Sequence, residues 1–204
     1  IDNFVNKYIF TPGPVKMAEE TLTIGAMQTP YFRNEEFSKI LLECEENLLK
    51  IVNAPPNSRT LFLTASGTAG MESCVQNLLN QNDKAIVING GTFGQRFADI
   101  CTLHDINHID FKVKDENLSD TKKLKPYKDA TALLINAHET SIGMLYNLKE
   151  VGDFCKKNNI LNIVDAISMF VTDKLDMQYQ NIDALIISSH KGLALPPGLI
   201  MFIL

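Results

Sequence analysis

The sequence predicts an α/β domain built on a mostly parallel sheet, and three observations predict it. Short apolar runs alternate with amphipathic helical patterns along most of the chain. Several of the runs, such as AIVIN, ALLIN and LNIVD, are apolar on both faces, as buried parallel strands should be. Small and polar residues gather where the runs stop, and open α/β sheets bind their ligands at the carboxyl ends of the strands.

Taken in order, the strand candidates are residues 59–64, 84–89, 108–113, 130–136, 159–165, 183–188 and 198–204. Before the first, Phe37, Ile40, Leu41, Cys44, Leu48 and Ile51 follow the spacing of one helix face, which predicts a helix with that face buried. After the fourth, Asn147 followed by Glu150 is a capping-box signature opening a helix that carries Val151, Phe154 and Cys155. Internal repeats and low-complexity segments are absent from the sequence.

Composition narrows the function classes. The 204 residues suffice for one sizeable domain, and 45% apolar with 21% charged residues is ordinary globular composition. A net charge of −5 without a long Lys/Arg run argues against a nucleic-acid partner. No stretch approaches the roughly 18 apolar residues of a membrane span. Cys44, Cys74, Cys101 and Cys155 are scattered without metal or redox spacing, which predicts structural thiols in a reducing, cytoplasmic compartment. The apolar ending GLIMFIL is expected to be an internal strand of a longer protein, because an uncovered strand invites association.

Five clusters carry the chemistry. Thr64–Glu72 (TASGTAGME) runs from a strand through small residues into a helix, where backbone N–H groups with the Ser66 and Thr68 hydroxyls can cradle a phosphate. Taken alone, a helix cap with a glycine turn is the better reading of it. Asn89–Arg96 (NGGTFGQR) combines glycines that allow close backbone approach with Phe93, a flat face for stacking, or else a turn with a core aromatic. His138–Gly143 (HETSIG) brings an imidazole, a carboxylate and hydroxyls off one strand end, where a lone His is commonly a satisfied structural residue. Asp165 closes an apolar strand, where an unpartnered carboxylate is costly, so it needs a partner. Lys191, in SSHKGLALPPG, sits between an apolar strand and an apolar loop, where desolvation turns an amine into a nucleophile toward carbonyls.

The order of SGT, G-x-F-G-Q-R, H-E-T-x-x-G, V-D-A-x-S and S-H-K…P-P-G resembles the class V aminotransferases among the fold-type-I pyridoxal-phosphate enzymes. The nearest likeness is to the alanine/serine–glyoxylate and 2-aminoethylphosphonate–pyruvate transaminases. The likeness begins at Thr11-Pro-Gly-Pro14 and reaches the end of the chain.

The resemblance implies a three-layer α/β/α large domain with a mostly parallel, mixed sheet over residues 36–204, lacking a C-terminal small domain. Residues 1–35 are expected to be a segment contributing to the active site and a dimer interface. The implied cofactor is pyridoxal 5′-phosphate, held by Lys191 as a Schiff base. Asp165 is implied at the ring nitrogen, Phe93 and Ile167 on the two ring faces, and Thr140 at the ring hydroxyl. Ser66, Gly67, Thr68 and His190 are implied at the phosphate. The implied reaction moves an amino group between a small amino acid or amine and a 2-oxo acid or aldehyde, in a cytoplasmic homodimer with a shared site. His190 departs from the Gln of the glyoxylate enzymes and is similar to the S-x-H-K of cysteine desulfurases, which leaves a lyase as one alternative. A non-catalytic cofactor-binding fragment is the other.

Overall fold

The seven apolar runs are the seven strands of one sheet in the computed structural model, which describes residues 8–113 and 121–204. They are β1 (Thr60–Thr64), β2 (Lys84–Asn89), β3 (Asn107–Lys112), β4 (Ala132–Asn136), β7 (Leu161–Asp165), β8 (Ala184–Ser188) and β9 (Leu199–Ile203), with a separate ribbon of β5 (His138–Glu139) and β6 (Met144–Leu145). The order across the sheet is β1-β9-β8-β7-β4-β2-β3. β8, β7, β4, β2 and β3 run parallel, while β9 is antiparallel to both β8 and β1. The sheet is therefore mostly parallel and mixed, and the carboxyl ends of β1, β2, β4, β7 and β8 all lie along one edge.

The helices are α1 (Glu19–Gly25), α2 (Glu35–Ile51), α3 (Gly67–Leu78), α4 (Thr92–Leu103), α5 (Leu148–Asn158) and α6 (Met177–Gln180), with a 3-10 helix over Thr121–Tyr127. Strand side chains alternate between two cores. Val87, Leu134, Ile163 and Ile186 pack with Met71 and Val75 of α3 and Phe97 of α4. Ile86, Leu133, Val164 and Leu185 pack with Val151 and Phe154 of α5 on the other side. These are the three layers. Asn147 caps α5 as expected, its side-chain oxygen accepting from the Glu150 amide, and its Nδ2 donates to the Glu150 carboxylate at 2.8 Å.

Two expectations are corrected. The apolar stripe of α2 is not a buried face: only Leu48 of its predicted members is buried, while Ile40, Leu41, Cys44 and Ile51 are exposed. The helix is tied down through its second half instead. Glu45 accepts from Arg59 Nε at 2.6 Å and from the Thr60 amide at 2.9 Å, and Leu48 enters the core. Cys44 is therefore no buried thiol, whereas Cys74, Cys101 and Cys155 are buried. The strand expected over 159–165 starts at Leu161, because Asn159 closes α5 in the left-handed conformation at φ 55°.

Candidate active site at the strand ends

The sheet carries each candidate residue to the same edge. β1 ends at Thr64 and hands the chain to α3, whose Gly67 and Thr68 open the helix with amides pointing toward the strand ends. β2 ends at Asn89 and leads into α4, whose second residue is Phe93. β7 ends at Asp165 and β8 at Ser188, three residues before Lys191.

A cavity of about 150 Å³ gathers what they carry: Gly67, Thr68 and Met71 on one side, Phe93 and Arg96 from α4, Asp165, Ile167 and Ser168 after β7, and His138, His190 and Lys191. Larger hollows occur elsewhere, one of about 750 Å³ lined by Thr131, Leu161 and Asp183 at the amino ends of the strands. Chemistry, not size, selects the small cavity, since it alone among these joins a buried carboxylate to a desolvated amine.

Asp165 is buried, and its two oxygens are separately held. Oδ1 accepts from the Ile167 amide at 2.9 Å, and Oδ2 accepts from Asn136 Nδ2 at 2.6 Å. Parallel pairing of β4 with β7 sets Asn136 opposite Asp165. Burial pushes the Asp165 carboxyl up to about 6, against the lowering pull of the Ile167 and Asn136 hydrogen bonds. Burial likewise holds Lys191 below the ordinary lysine range, with Asp165 pulling it back up. Nζ of Lys191 has no hydrogen-bond or ion-pair partner among the described residues. His190 is lowered by burial and then by the neighbouring Lys191 charge.

Two close approaches shape the cavity. A Cβ on Gly67 would stand 2.9 Å from Ile167 Cδ1, so any larger residue there would push the Ile167 side chain aside. Gly13, at φ +148°, lies against the lysine: a Cβ would stand 2.4 Å from Lys191 Cδ and 3.1 Å from the His190 carbonyl oxygen.

Of the residues implied from sequence, Gly67, Thr68, Phe93, Asp165, Ile167, His190 and Lys191 line the cavity. Ser66 and Thr140 do not. Ser66 is the N-cap of α3, its hydroxyl accepting from the Ala69 amide at 3.3 Å, and Thr140 sits in the turn between β5 and β6.

Sequence reasoning left four residues without a role. Arg96 stacks its guanidinium 5.0 Å from the Phe93 ring centroid and donates from Nη1 to Thr68 Oγ1 at 3.1 Å. Its signal was present, because Phe93 and Arg96 are three apart on a helix and share a face. Glu139, buried, accepts from the Phe93 and Gly94 amides at 3.1 and 2.9 Å and so anchors the start of α4. His138 pairs through Nε2 with Asp173 Oδ2 at 3.1 Å. Asn136 holds Asp165.

The cavity's donors and acceptors fit pyridoxal phosphate. The buried carboxylate suits a protonated ring nitrogen, and the desolvated amine suits a carbonyl carbon. Phe93 and Ile167 offer flat and aliphatic ring contacts, and the glycine-opened helix start with Arg96 nearby suits a phosphate dianion.

Comparison with known proteins agrees. The family model described as aminotransferase class-V matches residues 25–203. An uncharacterized aminotransferase of Methanocaldococcus jannaschii is 31% identical over 199 residues, covering 96% of this chain and 51% of its own. The 2-aminoethylphosphonate–pyruvate transaminase of Pseudomonas fluorescens is 28% identical, with 94% and 53% covered. Among solved structures, an aspartate aminotransferase of Thermus thermophilus superposes with a TM-score of 0.89 at 26% identity, covering 97% of this chain and 57% of its own. The chain spans about half the length of the curated relatives it matches.

Proposed function

The chain belongs to the class-V aminotransferase family, and on that premise we propose that it is the cofactor-binding part of a pyridoxal-phosphate-dependent transaminase. The reading is transfer of an amino group between a small amino acid or amine and a 2-oxo acid or aldehyde. One observation carries it: a buried Asp165 held at both oxygens and an unpartnered, desolvated Lys191 face the same cavity beside a glycine-opened helix start.

Bound pyridoxal phosphate supplies a carbonyl carbon for amines and an electron sink for the bond broken at the substrate Cα. The residues do the rest. Lys191 Nζ, held below the ordinary lysine range by burial, would be the nucleophile toward that carbonyl. The same amine would hold and move the proton at the substrate Cα. Asp165, ionised above about pH 6, holds a proton on the ring nitrogen by charge. Asn136 and the Ile167 amide fix the direction in which that carboxylate points. Phe93 and Ile167 exclude water from the two ring faces. The Gly67 and Thr68 amides, Arg96 and His190 hold the phosphate, with Arg96 kept in place by Thr68 and by the Phe93 ring.

The matched family and the relatives named above are aminotransferases, which favours transfer over the lyase alternative. We place the enzyme in the cytoplasm as a homodimer with a shared site. Unpaired cysteines support a reducing compartment, and no helix among the described residues is long and apolar enough to cross a membrane.

The test is a coupled assay of the full-length protein with alanine, serine or 2-aminoethylphosphonate as donor and pyruvate or glyoxylate as acceptor. Amino transfer by ping-pong kinetics is expected. Elimination or sulfur release without transfer to an oxo acid would replace the reading with the lyase one.

A further inference from the structure

We propose that Asn136 is a positioning residue for the reaction, one that keeps Asp165 charged and aimed at the cofactor's ring nitrogen from outside the cavity and does so at the expense of the fold's own stability. The inference rests on the transaminase reading and deepens it. Asn136 is 1% exposed at the end of β4 and is not among the residues that line the cavity. Its side chain makes one hydrogen bond among the described residues, from Nδ2 to Asp165 Oδ2 at 2.6 Å. Any influence it has on the reacting groups therefore passes through Asp165.

Two features set this contact apart from ordinary packing. The first is that it is left half made. Asn136 Oδ1 is buried without a partner among the described residues, and a buried carbonyl oxygen left unpaired is destabilising. An apolar side chain of the same size, like those of Leu133, Leu134 and Ile135 before it on β4, carries no such penalty. Turning the amide over gives no relief while Asp165 is charged, because Oδ1 would then face a carboxylate oxygen. Packing alone has no use for an amide here, whereas a buried carboxylate does.

The second feature is what else acts on Asp165. Its other hydrogen bond comes from the Ile167 backbone, so Asn136 supplies the one side-chain donor to the carboxylate. Among the charged groups around it, Glu139 favours the protonated form and Arg96 the ionised form, while Lys191 and buried Cys74 on α3 feel its charge. A carboxylate accepts at roughly four lone-pair sites. With one site on each oxygen filled, the group cannot rotate freely, and the remaining sites are left for a ring N–H in the cavity. The register of β4 against β7 sets the two residues opposite one another.

The experiment compares Asn136→Leu with wild type in the full-length protein. Without the donated hydrogen bond kcat should fall about 10- to 100-fold and pyridoxal phosphate should bind more weakly, while KM for the amino donor changes little. In the cofactor-free protein, urea unfolding should show a larger loss of stability from pH 5 to pH 8 than wild type shows. The bond favours the charged form, so removing it raises the folded carboxyl further. All of these changes should vanish when Asn136→Leu is made on Asp165→Asn. Asn162→Leu is the control. Asn162 is equally buried, its Oδ1 is also unpartnered, and it lies on β7 itself, at the far end from Asp165. That variant should leave kcat and cofactor affinity in place. If Asn136→Leu does not fold, Asn136→Ala carries the comparison. Wild-type kcat and affinity in the Asn136 variants, the same loss in Asn162→Leu, or an undiminished loss on the Asp165→Asn background overturns the proposal. Wild-type protein that binds no pyridoxal phosphate would instead sink the transaminase reading itself, with the cofactor-free unfolding still deciding whether Asn136 holds the Asp165 charge.

Discussion

Replacing Asp165 by Asn should make the cofactor-free fold more stable at neutral pH while disabling the site. Burial raises the carboxyl from 3.8 to about 6. A carboxylate with a raised folded value keeps its proton longer in the fold than in the unfolded chain. Stability is therefore highest at low pH and falls as pH rises from the ordinary value through about 6. At ~1.36 kcal/mol per pH unit, the full loss is about 3 kcal/mol, of which roughly half falls between pH 5 and pH 8. Asn carries no such term.

The local hydrogen bonds survive the change. Oδ1 of the new amide still accepts from the Ile167 amide. Asn136, whose own Oδ1 is buried without a partner, can turn over and accept from the new NH₂ group. Urea unfolding of both proteins at pH 5 and pH 8 reads the difference directly, and titrations elsewhere cancel in it. The variant should gain on wild type over that interval, by roughly half of the full loss. A difference that does not change with pH would refute the buried-charge account, whatever happens to turnover. In the holoenzyme the same variant should lose kcat by orders of magnitude, since it cannot hold the ring proton by charge.

Three further outcomes follow from the geometry. Glu139→Gln removes the charge under the Phe93 and Gly94 amides, so chemical denaturation should show a loss of about 1–2 kcal/mol. Gly13→Ala places a Cβ 2.4 Å from Lys191 Cδ. Because the segment is largely exposed, thermal unfolding should barely move while the rate of cofactor attachment falls; an unchanged rate would remove this segment from the site. Phe93→Leu keeps bulk but loses the flat face, and equilibrium titration should show pyridoxal phosphate bound roughly 3–10-fold more weakly.

Much of this was legible in the chain. The runs ending at Asn89, Asn136, Asp165 and Ser188 are apolar enough that only strands buried on both faces accommodate them, and they all end at one edge. Gly67, Thr68, Phe93, Asp165, Ile167, His190 and Lys191 could be placed together because the sheet brings strand ends together. The exposure of the apolar stripe of α2 was not legible, because periodicity says which side chains share a face and not what covers it. The Asn136–Asp165 bond depends on the register between β4 and β7, which no local pattern encodes. The exchange of Thr140 for His138 on the cavity wall turns on the two-residue pairing of β5 with β6, too short to leave a hydrophobic signature.

The claim on which all else rests is that Lys191 carries the cofactor. Full-length protein loaded with pyridoxal phosphate, reduced with borohydride and digested, should yield one pyridoxyl-labelled peptide, with the label on Lys191. Lys191→Ala should bind the cofactor weakly, take no label and lose turnover almost wholly. A label on another lysine, or an unlabelled wild-type protein that still transaminates, would contradict the account.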